Sequence, residues 1–281
     1  MKSRKAQNRV GDALTYLVFL FALLFFGGPL LWLLSLSIRT QQEIFITSLR
    51  LIPEDPTFEN YTEVLYTAQF SVFLLNSLKL ALAGSIGAIV VSAPAAYAFS
   101  RLTFRGNTLF LVGVLGLQMI SPLVVVIPLY RYFDRLNLVD SHFSTAMVYI
   151  AILVPLATWM LKGFFDGVPP ALDEAAMVDG CTRFGAFLRV SLPLILPGLT
   201  STFVLTAILA WGEFVVPYVL LSEPSLFPIS IGILNFQGNY ASNSTNVLAA
   251  GGVLAMLPAI ATFVILQRFI VRALTSGAIK G

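Results

Sequence analysis

Residues Glu174–Pro193 read EAAMVDGCTRFGAFLRVSLP, a polar stretch set between two strongly apolar segments. Two prolines, Pro169 and Pro170, precede it, and proline suits the first turn of a helix because its missing N–H has no partner to lose there. Asp173 and Glu174 fall in that first turn, where carboxylates favour the positive end of the helix dipole. Ala175 and Ala176 keep one face of the helix thin. Asp179 then leads into Gly180, the residue type best able to stop a helix in the left-handed region. A second short helix is expected from about Thr182 to Leu192, with Phe184, Phe187 and Leu188 at helical spacing. The unit reads as a helix–turn–helix on a membrane surface that offers a knob to a partner.

Working outward, the composition demands a membrane. Hydrophobic residues make up 57% of the 281 and charged residues only 11%, against about 25% charged in soluble domains. Mean hydropathy is +0.86. The net charge of +3 is no sign of nucleic-acid binding, because the basic residues sit at the ends of apolar runs. One cysteine, Cys181, precludes an internal disulfide, and one histidine, His142, leaves little for a metal.

Runs of about 20 apolar residues predict six transmembrane helices in an all-α integral membrane protein. The runs are Ala13–Ile38, Leu80–Ser100 (starting near Val72, with Lys79 inside), Asn107–Tyr130, His142–Leu161, Val190–Gly212 (continuing to about Leu221) and Val247–Gln267. An even count puts both termini on one side. Lys2, Arg4, Lys5, Arg9, Arg101, Arg105, Lys162, Arg183, Arg189, Arg268, Arg272 and Lys280 all fall on that side. The other side holds Arg39, Arg50, Arg131 and Arg135 with most of the acids. The positive-inside rule places both termini and the 166–193 loop in the cytoplasm. The first apolar run is too long for a signal peptide and lacks a clear cleavage site, so it is expected to remain as a helix. The organisation expected is 1–71 for the N-terminus, first span and an outside loop with a short amphipathic helix near Asn60–Tyr66, then 72–272 for a five-helix core, then a tail at 273–281.

The chain brings no energy source of its own. No lysine follows a glycine, so no phosphate-binding loop of the G-x-x-x-x-G-K type is present. No nucleophile–base pair suggests an enzyme, and the intramembrane acids on which ion-coupled transporters rely are nearly absent.

The loop resembles the EAA loop of bacterial ATP-binding-cassette importer permeases, whose pattern is E-A-A, three residues, Gly, nine residues, then I-x-L-P. Glu174, Ala175, Ala176, Gly180, Leu192 and Pro193 match, and Val190 stands for the isoleucine. Weaker likenesses lie in Thr57–Tyr61, Asn76-Ser77-Leu78, Trp211-Gly-Glu-Phe214 and the tail Leu274–Gly281. They point to the carbohydrate branch, and to its smaller maltose-type subunit. The resemblance implies a type I importer permease core (MetI-like), with the first helix wrapping a homologous second permease. It implies two cytoplasmic ATPase subunits, which bind the ATP and magnesium, and an external solute-binding protein; this chain itself would carry no cofactor and would sit in the bacterial inner membrane. The coupling helix would dock in a groove of the ATPase, with Asp173, Glu174, Ala175, Ala176, Asp179, Gly180, Phe187 and Pro193 as the coupling residues.

Within the membrane the candidates for a solute path are Asn76, Trp211 and Glu213. A charge at depth is costly unless it faces water or a partner. Glu213 therefore reads either as a polar wall of a cavity, with Trp211 offering a flat face to a sugar ring, or as a contact near the interface. Lys79 reads either as a cavity residue or as a side chain reaching the outer surface. Pro224–Asn246 carries no charge but several amides. It is expected to be an outside loop, in which Asn235, Gln237 and Asn239 either meet the binding protein and its sugar or are simply solvated.

Overall fold

The computed structural model describes the backbone of residues 2–45, 51–66, 68–239 and 245–278, and the side chains of 12, 14–44, 51–66, 69–234 and 245–265. All regular structure among them is helical: α1 (Lys2–Ser37), α2 (Gln41–Phe45), α3 (Glu59–Tyr66), α4 (Ala68–Arg101), α5 (Asn107–Gly116), α6 (Pro122–Arg135), α7 (His142–Asp166), α8 (Pro170–Val178), α9 (Arg183–Ala186), α10 (Leu192–Leu194), α11 (Leu196–Trp211), α12 (Val215–Leu220), α13 (Ile229–Asn239) and α14 (Thr245–Ala278). Helices satisfy every backbone group within one segment, which a bilayer requires. Among the described residues, four helical stretches are long and apolar enough to cross a membrane: Leu14–Ser37, Gln69–Arg101, His142–Asp166 and Thr245–Ile265. Two bent pairs bring the total to six if each pair makes one span.

Those bends correct the sequence reading. The expected span from Asn107 to Tyr130 breaks by 87° between Met119 and Pro122, because Ile120 and Ser121 are extended and Pro122 opens a new helix. The expected fifth span turns by 76° at Ile195 and stops at Trp211 rather than running to Leu221. The expected helix from Thr182 to Leu192 is α9 followed by a π-helical turn, Phe187–Ser191, in which Leu192 N–H bonds back to the Phe187 carbonyl. The uncharged segment expected as a loop contains a short 3-10 turn, Pro224–Leu226, and then α13.

The chain divides into two compact units. In the unit formed by 1–68 and 233–256, Asn60 donates through Nδ2 to the carbonyls of Ser37 and Arg39, both at 2.9 Å, and accepts from Asn246 Nδ2 at 2.7 Å. Tyr61 and Ser37 hydroxyls meet at 2.6 Å. This buried polar knot fastens α3, at the position expected for the short amphipathic helix, to the end of α1.

The other unit, 69–232 and 257–281, holds the larger core. Leu80, Ala81, Ala88, Val126, Phe133, Val148, Tyr149 and Leu153 bury together with Ala210, Val216 and Leu220. Apolar side chains gain little from leaving lipid, so close packing of small residues holds such helices together. At Gly198 an added Cβ would run into the Phe164 ring, and at Gly87 into Ile150. Asp140, itself at φ +56, accepts from Ser222 N–H and, at 3.0 Å, from Glu223 N–H, which fixes the end of α12.

Candidate functional site

The 166–193 loop is built around one guanidinium. Arg101 ends α4 and donates from Nε to Asp173 Oδ2 at 2.7 Å, from Nη2 to the Val168 carbonyl at 2.8 Å and from Nη1 to Ser100 Oγ at 3.2 Å. Asp173 Oδ1 accepts from Ser191 Oγ at 2.6 Å. Both charged side chains are buried, 8% and 5% exposed, and a buried charge is tolerable only when paired and hydrogen-bonded in this way. The chain of bonds continues from Ser100 Oγ to Asp166 Oδ1 at 2.6 Å and from Lys162 Nζ to Asp166 Oδ2 at 2.7 Å.

Gly180 ends α8 as the sequence predicts. Its φ is +91, its N–H bonds the Met177 carbonyl at 3.1 Å, and the Cys181 N–H bonds the Ala176 carbonyl at 3.0 Å, which together make a Schellman stop. Thr182 then caps α9, accepting from Gly185 N–H at 3.1 Å. Phe187 is buried against Tyr97, Phe165 and Phe184, with ring centroids 5.0–6.1 Å apart.

This geometry sorts the predicted coupling residues into two groups. Glu174, Ala175, Asp179, Gly180 and Pro193 are exposed. Asp173, Ala176 and Phe187 are buried and hold the loop in shape from within. The exposed apolar face instead belongs to Ala175 with Leu172, Val178 and Phe184, the last three 42%, 88% and 65% exposed. Leu172 and Val178 lie outside the E-A-A spacing and were missed. So was Arg101, although a lone arginine closing an uncharged span 72 residues before an acid was the available signal.

Among the membrane candidates the outcomes differ. Glu213 occupies the break between α11 and α12, where its Oε1 accepts from Val215 and Val216 N–H at 3.0 and 3.2 Å. It lines a cavity of about 160 Å³ with Gln118, Tyr149, Ile152, Leu209 and Ala210 among its neighbours. A broken helix thus supplies two donors that hold a carboxylate at a cavity wall. Trp211 packs against the buried core beside it and does not line that cavity. Asn76 is buried and donates to the carbonyls of Ser225 and Phe227 at 2.8 and 3.2 Å, which fastens the turn before α13. Lys79 is exposed. Asn235, Gln237 and Asn239 lie on the backbone of α13, and their side chains are outside the described residues, as are Asn243 and the side chains of the tail.

Comparison with known proteins agrees with this architecture. Residues 88–276 match the family model described as a binding-protein-dependent transport system inner membrane component. The trehalose transport system permease protein SugB of Mycobacterium tuberculosis is 35% identical over 254 residues, covering 90% of this chain and 92% of that protein. The sulfoquinovosyl glycerol transport system permease protein SmoH of Agrobacterium fabrum is 33% identical over 253 residues, covering 90% and 88%. A chain from the crystal structure of a bacterial ABC transporter involved in import of the acidic polysaccharide alginate shares the fold. Its TM-score is 0.76 at 21% identity, over 95% of this chain and 98% of that one. With its several apolar helices, this chain is a multi-pass membrane protein and a transport component rather than an enzyme, and it belongs to the family of inner membrane components of binding-protein-dependent transport systems.

Proposed function

We propose that the chain is the membrane-spanning subunit of an ATP-driven importer of a sugar or oligosaccharide, and that the 166–193 loop is where a separate ATPase drives it. The observation that carries the reading is the division of labour inside the loop. A buried ion pair, a Schellman stop and an aromatic cluster hold α8 rigid, and the surface left over is a small apolar knob of Leu172, Ala175, Val178 and Phe184. A knob of that kind suits a preformed groove, and it gains affinity because little ordering remains to be done on binding. SugB is named for trehalose transport and SmoH for sulfoquinovosyl glycerol transport, which favours the sugar class over glycerol phosphate or an oligopeptide.

In this reading the loop and both termini face the cytoplasm, where two ATPase subunits bind ATP and magnesium. A homologous second permease completes the path, and an external binding protein delivers the solute. Glu213 and the cavity beside it would form part of the wall on this subunit's side. The test pairs two measurements. The cognate binding protein is screened against neutral di- and oligosaccharides, glycerol phosphate and peptides, and the complex carrying Ala175→Trp is assayed in vesicles for uptake and ATP hydrolysis. Sugar binding, together with hydrolysis uncoupled from uptake in the variant, is expected. Peptide or glycerol phosphate binding would overturn the solute class, and wild-type coupling in Ala175→Trp would overturn the docking role.

A further inference from the structure

Resting on the proposed coupling role of the loop, we infer that the Arg101–Asp173 pair with Ser191 is the joint that transmits movement of α8 to the membrane helices, and that these three are positioning residues for transport. Neither Arg101 nor Asp173 presents a surface to a partner, since both side chains are buried at 8% and 5% exposure. What they join is specific. Arg101 is the last residue of α4, its Nη2 grips the Val168 carbonyl in the connection between α7 and α8, and its Nε holds Asp173 in the first turn of α8. The second oxygen of Asp173 reaches the last residue of the π-helical turn, Ser191, from which the chain enters α10 and α11. The ends of three elements and the entry to a fourth therefore meet on two side chains.

The alternative anchorage is apolar and differently placed. Phe187, Phe165 and Tyr97 cluster around the same elements, but ring contacts constrain position less tightly than hydrogen bonds of fixed length and angle. The guanidinium has its donors in a fixed planar fork, so a shift of α8 has to drag α4 and the Ser191 turn with it or break a buried ion pair. The π turn adds to this, because one extra residue in a helical turn is a local irregularity that a small shift of register could resolve. The pair thus makes the difference between a loop that is merely attached and a loop that is geared to α4 and α11.

The test must separate gearing from folding. Replacing a buried ion pair by apolar residues of similar size often leaves a protein as stable as before, so the double variant Arg101→Met/Asp173→Leu is the main arm. It is reconstituted with the partner permease, ATPases and binding protein, and assembly is scored by co-purification of the ATPase. The readout is solute molecules taken up per ATP hydrolysed, a ratio that a uniformly less stable complex would not change. A fall of at least about fivefold in the assembled complex, the lower end of typical coupling between sites, is expected. An unchanged ratio overturns the joint. If the double variant does not assemble, Ser191→Ala decides, because it removes one hydrogen bond and keeps the ion pair. A lowered ratio there supports the joint and an unchanged one overturns it. Wild-type complex that hydrolyses ATP on adding binding protein but takes up no sugar would instead refute the solute class, which leaves the joint to be read from the same ratio with the true solute.

Discussion

Gly180 sits at φ +91, and nothing lies within 4 Å of the Cβ it lacks. A Cβ there would meet no neighbour, so the cost expected on substitution is backbone strain, at least about 1 kcal/mol for a β-branched residue in the left-handed region. Gly180→Val is therefore expected to redirect α9 and lower uptake, while Gly180→Asn, whose side chain tolerates that region, should keep most of it. Uptake of labelled sugar, normalised to inserted protein, makes the comparison, and equal transport by the two variants would refute the strained turn. Glu174 is exposed, one residue past the first turn of α8, and an exposed charge contact is worth at most about 1 kcal/mol. Glu174→Ala should weaken uptake without abolishing it. Val178 is 88% exposed, so Val178→Asp should insert normally yet retain less ATPase on co-purification; undiminished retention would remove Val178 from the docking face. The motif spacing made the stop at Gly180 legible because a helix stop is a local matter of torsion. It did not show that Asp173 is buried, because its partner Arg101 lies 72 residues away and no local pattern contains that partner.

Among the elements, apolar run length located the spans and said nothing of their bends. Proline explains why. Pro29, Pro94, Pro128, Pro155 and Pro258 all lie inside helices, where neighbouring groups make good the lost hydrogen bond. Pro122, by contrast, opens a helix after two extended residues. The residue type is the same in both settings, so composition could not tell a kink from a break. The same holds for α13, whose uncharged, amide-containing sequence reads as a loop until Asn76 and the close contact of Gly232 with Phe73 supply a surface for it. The α7–α11 pair offers a sharp test. Gly198 abuts the Phe164 ring, and overpacking a tight contact costs about 1–3 kcal/mol. Gly198→Leu should thus lower the midpoint of thermal inactivation in detergent. Gly163→Leu, on the same helix as Phe164 but with nothing within 4 Å of its missing Cβ, should not. Similar midpoints for the two would mean that α7 and α11 do not depend on this approach.

For the whole molecule the open question is which end faces the cytoplasm, since a fold similar to known permeases fixes the order of helices and not their direction in a membrane. The charge distribution favours one direction. Twelve lysines and arginines fall on the side of the termini and the 166–193 loop, against Arg39, Arg50, Arg131 and Arg135 on the other, and basic residues near span ends stay in the cytoplasm. The docking argument requires the same orientation, because an ATPase reaches only a cytoplasmic knob. Cys181 tests both at once. It is the single cysteine of the chain, it follows Gly180 directly in the loop, and its side chain is half-buried with a free thiol. A membrane-impermeant maleimide should label it in inside-out vesicles and spare it in intact cells. Stripping the ATPase from the vesicles should speed the reaction if the partner shields the loop, which gives the docking role a readout separate from topology. Labelling from outside intact cells would reverse the orientation and, with it, remove the loop from the reach of any cytoplasmic ATPase.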